Sequence, residues 1–204
     1  MRFLSLVLLC AAGTDLSGAK LQNHTRRGNK VALQLSEGSG EFEWVSPSTF
    51  RIRRSLRSEP LSSTPLSTDA ITFTAANSPA ALKLDSEFLR VEIDKNTLQL
   101  KIRTSSGLML LSESAPLSRN GGDLTIEWDR AANEKIYGGP ATGVKPFFIS
   151  SRGYGLQMST MSVIRFDLAL PNRIAASSAI AESLEYFFHY GPSIWTSIGK
   201  HHER

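Results

Sequence analysis

Two side chains in one short segment have the chemistry of a binding site. Residues 146–158 read PFFISSRGYGLQM, with Arg152 and Tyr154 in the middle. The arginine could bind a carboxylate or a sugar hydroxyl, or it could pair a structural acid or cap backbone carbonyls. The tyrosine could stack on a sugar ring, or it could pack its ring and hydrogen-bond through its hydroxyl. The sequence therefore predicts a hairpin whose two polar side chains are either substrate-contacting or structural.

The residues around this pair predict a β-hairpin. Apolar residues lie on both sides of the polar turn SSRG, and two glycines flank Tyr154. Glycine adopts backbone conformations that side chains disfavour, so this pattern favours a tight reversal between two antiparallel strands.

Other arrangements that support catalysis or cofactor binding are missing from the sequence. His189 lies in an apolar strand pattern, and the adjacent His201 and His202 do not share one helix face, so no three metal ligands have compatible spacing. Ser150 lacks the glycine-flanked pattern of a nucleophile elbow and a nearby histidine. We therefore expect no catalytic residue, no metal and no cofactor in this chain.

The charge pattern argues against a nucleic-acid partner. The formal net charge is +4, but the lysines and arginines are scattered along the chain. A nucleic-acid-binding domain concentrates its positive charge on one face. We expect these residues to form a solvated surface.

Residues 1–19 have the features of a secretory signal peptide. Arg2 precedes an apolar run that is too short to cross a bilayer as a helix, and small residues precede a cleavage site near Ala19. Lipoprotein processing at Cys10 is the alternative, although Leu9 fits it poorly. Because Cys10 is the only cysteine, the mature chain would hold no disulfide. We expect a secreted or periplasmic protein without a transmembrane segment.

The rest of the chain predicts an all-β fold. About ten short segments alternate apolar and polar residues between turn residues, which is typical of an antiparallel β-sandwich. We predict a flexible polar lead-in over residues 20–29, a β-sandwich domain over residues 30–192 and the start of a helix over residues 193–204.

Six segments, in order along the chain, carry a family resemblance. They are FEWVSPSTFRIRR (42–54), FLRVEIDKNTLQLKIRTSSGLMLL (88–111), EKIYGG (134–139), PFFISSRGYGLQM (146–158), VIRFDLA (163–169) and YFFHYGPS (186–193). Together they resemble glycoside hydrolase family 31, the α-glucosidase and α-xylosidase family. The string SSRGYG followed by YGPS is the most specific part.

In that family the matching segment is an N-terminal, galactose-mutarotase-like β-sandwich that packs against a catalytic (β/α)8 barrel. The 204 residues here are too few for a sandwich and a barrel, because a barrel alone takes roughly 250 residues. The family's catalytic aspartates lie in the barrel, and no residue here matches them. The resemblance implies a non-catalytic domain of an enzyme that hydrolyses O-glycosyl bonds in carbohydrates.

Two other interpretations stay open. The chain could be a stand-alone secreted β-sandwich that binds carbohydrate or a protein partner, or a decayed fragment without a stable function. One departure from the family pattern bears on sugar contact. In the family, several dozen residues lie between the Tyr-Gly segment that matches EKIYGG and the hairpin, and they include a loop that reaches the active site. Here only residues 140–145 separate Gly139 from Pro146.

Overall fold

The computed structural model describes most of the chain between residues 18 and 191. The described residues are 18–55, 57, 64–120, 123–138, 142–143, 146–159, 163–179 and 183–191. Residues 1–17 of the predicted signal peptide, including Cys10, and the predicted helix with His201 and His202 lie outside the described residues.

Seventeen strands form in this part of the chain, which contains no helix. In chain order they are β1 Leu21–Arg27, β2 Lys30–Leu35, β3 Ser39–Ser46, β4 Thr49–Ser55, β5 Thr74–Asn77, β6 Ala81–Asp85, β7 Leu89–Asp94, β8 Leu100–Thr104, β9 Met109–Asn120, β10 Asp123–Asp129, β11 Ile136–Gly138, β12 Thr142–Gly143, β13 Phe147–Ser150, β14 Tyr154–Met158, β15 Ile164–Asp167, β16 Arg173–Ser178 and β17 Ser183–Tyr190.

The strands form two antiparallel sheets. Sheet A has 8 strands in the order β1-β2-β3-β4-β17-β14-β13-β11, and sheet B has 9 strands in the order β12-β15-β16-β10-β9-β8-β7-β6-β5. Apolar side chains from both sheets form one buried core between them. The predicted all-β antiparallel sandwich is confirmed.

Aromatic rings from both sheets pack against one another in this core. Phe50 stacks on Phe188 at 5.4 Å, and Phe188 stacks on Tyr154, also at 5.4 Å. Across the sandwich, Trp128 of sheet B meets Tyr186 of sheet A edge-on at 5.7 Å. Such ring pairs add stabilisation to the large apolar area that each ring buries.

The two sheets differ in how their strands are buried. In β8 of sheet B, buried Leu100, Ile102 and Thr104 alternate with exposed residues. In β14 of sheet A all five residues are buried. Alternation marks a sheet with one face in water, whereas continuous burial marks a sheet covered on both faces.

The structure corrects the sequence interpretation at the N-terminal side. The lead-in predicted over residues 20–29 as flexible is instead the edge strand β1, which pairs with β2. Ala19 and Leu21 are buried and fix this strand to the core. Most of its other side chains are exposed because only one neighbour covers an edge strand, and this made the segment resemble a polar coil.

Two strands form where the sequence pattern is a poor guide. Residues 71–74 alternate apolar and polar side chains, yet pairing begins only at Thr74, in β5, while Ile71 and Phe73 are buried in the core. The Ala-rich segment after residue 171 contains β16.

Candidate functional site

The hairpin that carries Arg152 and Tyr154 is the β13–β14 pair of sheet A. Its register pairs Phe147 with Gln157 and Ser150 with Tyr154. Gly153 closes the turn with a positive φ of 80°, and its amide donates to the Ser150 carbonyl at 3.0 Å. Glycine is favoured there because this backbone region penalises a side chain. The predicted hairpin and its turn residues are therefore as the sequence indicated.

The Arg152 side chain reaches from this turn to the opposite sheet. Its Nη1 donates to the Leu110 carbonyl at 3.3 Å, and its Nη2 donates to the Met109 carbonyl. Both carbonyls belong to the start of β9 in sheet B. The guanidinium thus holds the hairpin turn of sheet A against sheet B, with both Nη atoms hydrogen-bonded to backbone carbonyls.

The Tyr154 side chain is enclosed in the core. Its ring is 0% exposed, and its hydroxyl donates to Glu134 Oε1 at 2.6 Å. Burial first, and then the neighbouring Glu134 carboxylate, raise the pKa of Tyr154 well above its ordinary value. The phenol therefore stays protonated and remains a donor. A ring with no exposed face cannot stack on a sugar from solvent.

Glu134 is the acceptor at the centre of this arrangement. Ser150 Oγ donates to the same carboxylate oxygen as Tyr154, and the Ala131 amide donates to Oε2 at 2.9 Å. Glu134 is only 5% exposed. Buried carboxylates need such donors because desolvation of a charge is costly. The sequence analysis did not assign a role to Glu134, although this residue begins the EKIYGG segment (134–139) that contributes to the family resemblance.

A second buried ionic cluster joins the two sheets inside the core. Arg54 of β4 forms a bidentate pair with Glu113 of β9, at 2.6 Å and 2.9 Å. The Tyr186 hydroxyl of β17 donates to Glu113 Oε1 at 2.8 Å, and the Leu100 amide donates to Oε2 at 3.0 Å. Burial alone would lower the pKa of Arg54, but Glu113 outweighs that effect, and the arginine remains charged.

A third ionic cluster lies on the outer face of sheet A. Arg51 Nη2 lies 2.7 Å from Glu41 Oε1 and 2.7 Å from Glu43 Oε2. Two carboxylates about 5 Å apart are the arrangement that a retaining glycosidase needs. Here both are bound to one guanidinium and nearly fully buried, with Glu43 at 0% exposure. This pair has no open side for a substrate and is structural.

The two histidines in the described part of the chain, His24 and His189, do not combine into an acid–base or metal site. His24 lies on β1 and His189 on β17, four strands apart in sheet A. Four spacings of about 4.8 Å put these strands about 19 Å apart. In the described part of the chain, no group of three histidine, cysteine or acidic side chains is placed to hold a metal.

The short connection before the hairpin crosses between the sheets. The chain leaves sheet A at β11, and β12 pairs with Arg165 and Ile164 of β15 in sheet B. The chain then returns to sheet A at β13.

Solved structures define the class of this fold. No protein-family model and no curated protein matches the sequence. The GH31 dextranase of Flavobacterium johnsoniae, in a complex with glucose, shares the fold with a TM-score of 0.72 and 18% identity. The similarity covers 86% of this chain and 27% of the dextranase chain.

Two further solved structures share this fold. A GH31 α-xylosidase from a soil metagenome matches with a TM-score of 0.67 and 16% identity, over 84% of this chain and 32% of that one. The cycloalternan-forming enzyme of Listeria monocytogenes matches with a TM-score of 0.68 and 14% identity, over 85% and 21%. This chain therefore has a β-sandwich fold found in GH31 enzymes, and it spans about a fifth to a third of their length.

No helix in the described residues combines the length and apolar character needed to cross a membrane.

Proposed function

We propose that this chain is the non-catalytic N-terminal β-sandwich domain of a family 31-type glycoside hydrolase, and that it supports a separate catalytic (β/α)8 barrel. One observation carries the proposal. The similarity spans 86% of this chain but only 27% of the dextranase. A whole-domain match of this kind fits one domain of a larger enzyme.

The described acids support a structural role for the domain. Glu134, Glu113 and Glu43 are buried, and each accepts hydrogen bonds from neighbouring donors of the same chain. A glycosidase needs one carboxylic acid and one carboxylate on either side of an accessible sugar bond. In this proposal both come from the barrel.

The substrate of the complete enzyme would be an α-linked carbohydrate. The names of the matched structures point to that class, since they include a dextranase and an α-xylosidase. The short connection between β11 and β13 is a departure from the family, because it lacks the long loop with which the family's domain reaches the sugar.

A stand-alone sugar-binding function has less support. An open groove of about 660 Å³ lies beside the β3–β4 turn, and its lining includes Asp69, Asp85 and Glu87. Phe73, the one aromatic residue among its described lining, is 5% exposed and lies under the Arg26 guanidinium at 3.7 Å. Sugar sites commonly offer an aromatic face, and the described lining of this groove does not.

We also propose that the protein is exported, with residues 1–19 as its signal peptide. The positive first residues, the short apolar run and the small residues near Ala19 support this proposal. N-terminal sequencing of the protein released by its own cells tests it. A mature chain that begins near residue 20 supports export, and an intact Met1 contradicts it.

Hydrolysis assays test the domain assignment. The chain alone, and the chain combined with the region encoded downstream of it, would be incubated with p-nitrophenyl α-glucoside and α-xyloside. We expect no release of nitrophenol by the chain alone and release by the combination. Turnover by the purified chain alone would refute the proposal.

A further inference from the structure

Two exposed apolar side chains lie together at one end of sheet B. Phe88 is 43% exposed and Leu108 is 57% exposed. The Phe88 carbonyl accepts from the Ser105 amide, and the Leu108 carbonyl accepts from the Thr104 amide, both at 2.9 Å. The two residues therefore lie on either side of the end of β8, and two strand spacings amount to about 10 Å. We call Phe88 and Leu108 the turn-end patch.

The turn-end patch lies near the point where the described chain leaves the sandwich. The amide of Gly191, the residue after β17, donates to the Gly153 carbonyl at 3.0 Å. The neighbouring Arg152 donates through its guanidinium to the carbonyl of Met109, which directly follows Leu108. These contacts put Gly191 and the turn-end patch at the same end of the sandwich.

The chain turns away from sheet A at this point. Gly191 has a positive φ of 106°, and Pro192 follows it. Proline has no amide hydrogen for a sheet, so strand pairing ends here. The residues that follow therefore start from the end of the sandwich that carries the turn-end patch.

Those residues have the sequence pattern of an amphipathic helix, with Ser193 as the predicted N-cap. At about 100° per residue, Ile194, Trp195 and Ile198 fall on one face of the helix, and Lys200 falls on the opposite side. Most helical stability in proteins comes from packing an amphipathic face rather than from the helix alone. The apolar face of this helix therefore needs an apolar surface to pack against.

The size of the turn-end patch favours a segment of the same chain as its partner. Even a fully exposed phenylalanine offers only about 150–250 Å². A specific interface between two proteins takes about 800 Å² from each partner. Two partly exposed side chains fall far below that area, whereas one face of a helix with three apolar side chains has a matching size.

We propose that residues 193–204 form a helix that packs its apolar face across Phe88 and Leu108. Only Pro192 separates this segment from Gly191, so little connecting chain is needed to reach the patch. The inference does not depend on the proposed function. If both hold, the barrel follows the sandwich at the end that carries the turn-end patch.

Single-cysteine labelling of the full 204-residue chain tests this packing. Cys10 would be replaced by serine, so that each introduced cysteine is the only one. Leu108→Cys reports on the turn-end patch. Val163→Cys is the matched control, because Val163 is 56% exposed and lies at the opposite end of sheet B.

Two substitutions in the predicted helix separate its faces. Each cysteine variant would be combined with Ile198→Gln, which disrupts the apolar face, or with Lys200→Gln, which changes the polar face. Near-ultraviolet circular dichroism of the buried Trp44 and Trp128 verifies that every variant is folded. Maleimide labelling rates would be compared after each is divided by the rate of the same variant in urea.

We expect Leu108→Cys to be labelled at least tenfold more slowly than Val163→Cys. Ile198→Gln should remove most of this protection, and Lys200→Gln should leave it unchanged. Equal labelling of the two cysteines would overturn the proposal, and so would protection that Ile198→Gln does not reduce. Protection that depends on protein concentration would assign the patch to a second copy and overturn it as well. The hydrolysis assays test the proposed function separately from all of these outcomes.

Discussion

The hydroxyl of Tyr154 donates a 2.6 Å hydrogen bond to the carboxylate of Glu134, a residue 20 positions earlier in the chain. This bond joins the β13–β14 hairpin to the loop that precedes β11. Together with the Arg152 contacts to Met109 and Leu110, it fixes the hairpin within the sandwich. Both polar side chains of the hairpin thus hold the fold together.

Replacing Tyr154 by phenylalanine should destabilise the domain. The change removes one donor from the buried Glu134 carboxylate and keeps the ring packing. The expected loss in unfolding free energy is about 1–3 kcal/mol, the range for a buried polar group that loses its partner. Urea denaturation measures it. Tyr137→Phe, at a site 56% exposed, is the matched control and should change little. Equal stability of the two variants would contradict the role of the hydroxyl.

Breaking the Arg54–Glu113 pair should have a larger effect. Glu113→Gln leaves the guanidinium in the core without its counter-charge, which costs about 3–5 kcal/mol for buried pairs. Thermal and denaturant unfolding measure the loss. Glu92→Gln removes the exposed partner of Lys83 and should cost less than about 1 kcal/mol. A loss at Glu113 as small as that at Glu92 would show that the pair is not a stabilising link between the sheets.

The hairpin turn should depend on glycine at position 153. A Cβ there would meet no atom within 4 Å, so only the positive φ of 80° opposes a side chain. Gly153→Ala should therefore cost about 1–2 kcal/mol through backbone strain. Gly18 also has free space around it but no positive φ, so Gly18→Ala should be nearly neutral. If the unfolding curves of the two variants coincide, the positive φ at Gly153 does not disfavour a side chain.

Glu185 should make stability depend on pH. Burial raises the pKa of Glu185, although Arg51 and Arg53 act in the opposite direction. Between the unfolded pKa, near 4.5, and the raised folded pKa, the native state holds more protons. Stability contributed by this group therefore falls as pH rises through that window. Glu185→Gln should remove this loss.

The measurement is the unfolding free energy of both proteins from pH 4 to pH 7. We expect the glutamine variant to gain stability relative to the natural chain as pH rises. A difference that stays constant across the window would mean that the pKa of Glu185 is the same in the folded and unfolded states.

Local patterns made much of the fold predictable from the sequence. The β7–β8 hairpin is predictable because alternating residues flank a turn with Asp94. In the structure, the Asp94 carboxylate accepts hydrogen bonds from the amides of Asn96 and Thr97. The β13–β14 hairpin could be predicted for a similar reason, because apolar residues flank a turn that contains Gly153. Edge strand β1 was wrongly predicted as coil, because partial burial removes the alternation on which the prediction depends.

The polar clusters could not be predicted in the same way. Arg54 and Glu113 are 59 positions apart, and Tyr186 lies a further 73 positions along the chain. Nothing in the spacing of such residues indicates that a sandwich will bring them together. The sequence identified Arg152 and Tyr154 as polar residues in a turn, but their contacts with the carbonyls of Met109 and Leu110 and with Glu134 involve residues that are distant in the sequence.

The DNA sequence directly after the codon for Arg204 tests the central claim most directly. If the chain is the accessory domain of a family 31-type glycosidase, an open frame for a (β/α)8 barrel with two catalytic aspartates should follow, in frame or after one frameshift. A stop codon followed by unrelated sequence would contradict the claim and leave a solitary β-sandwich.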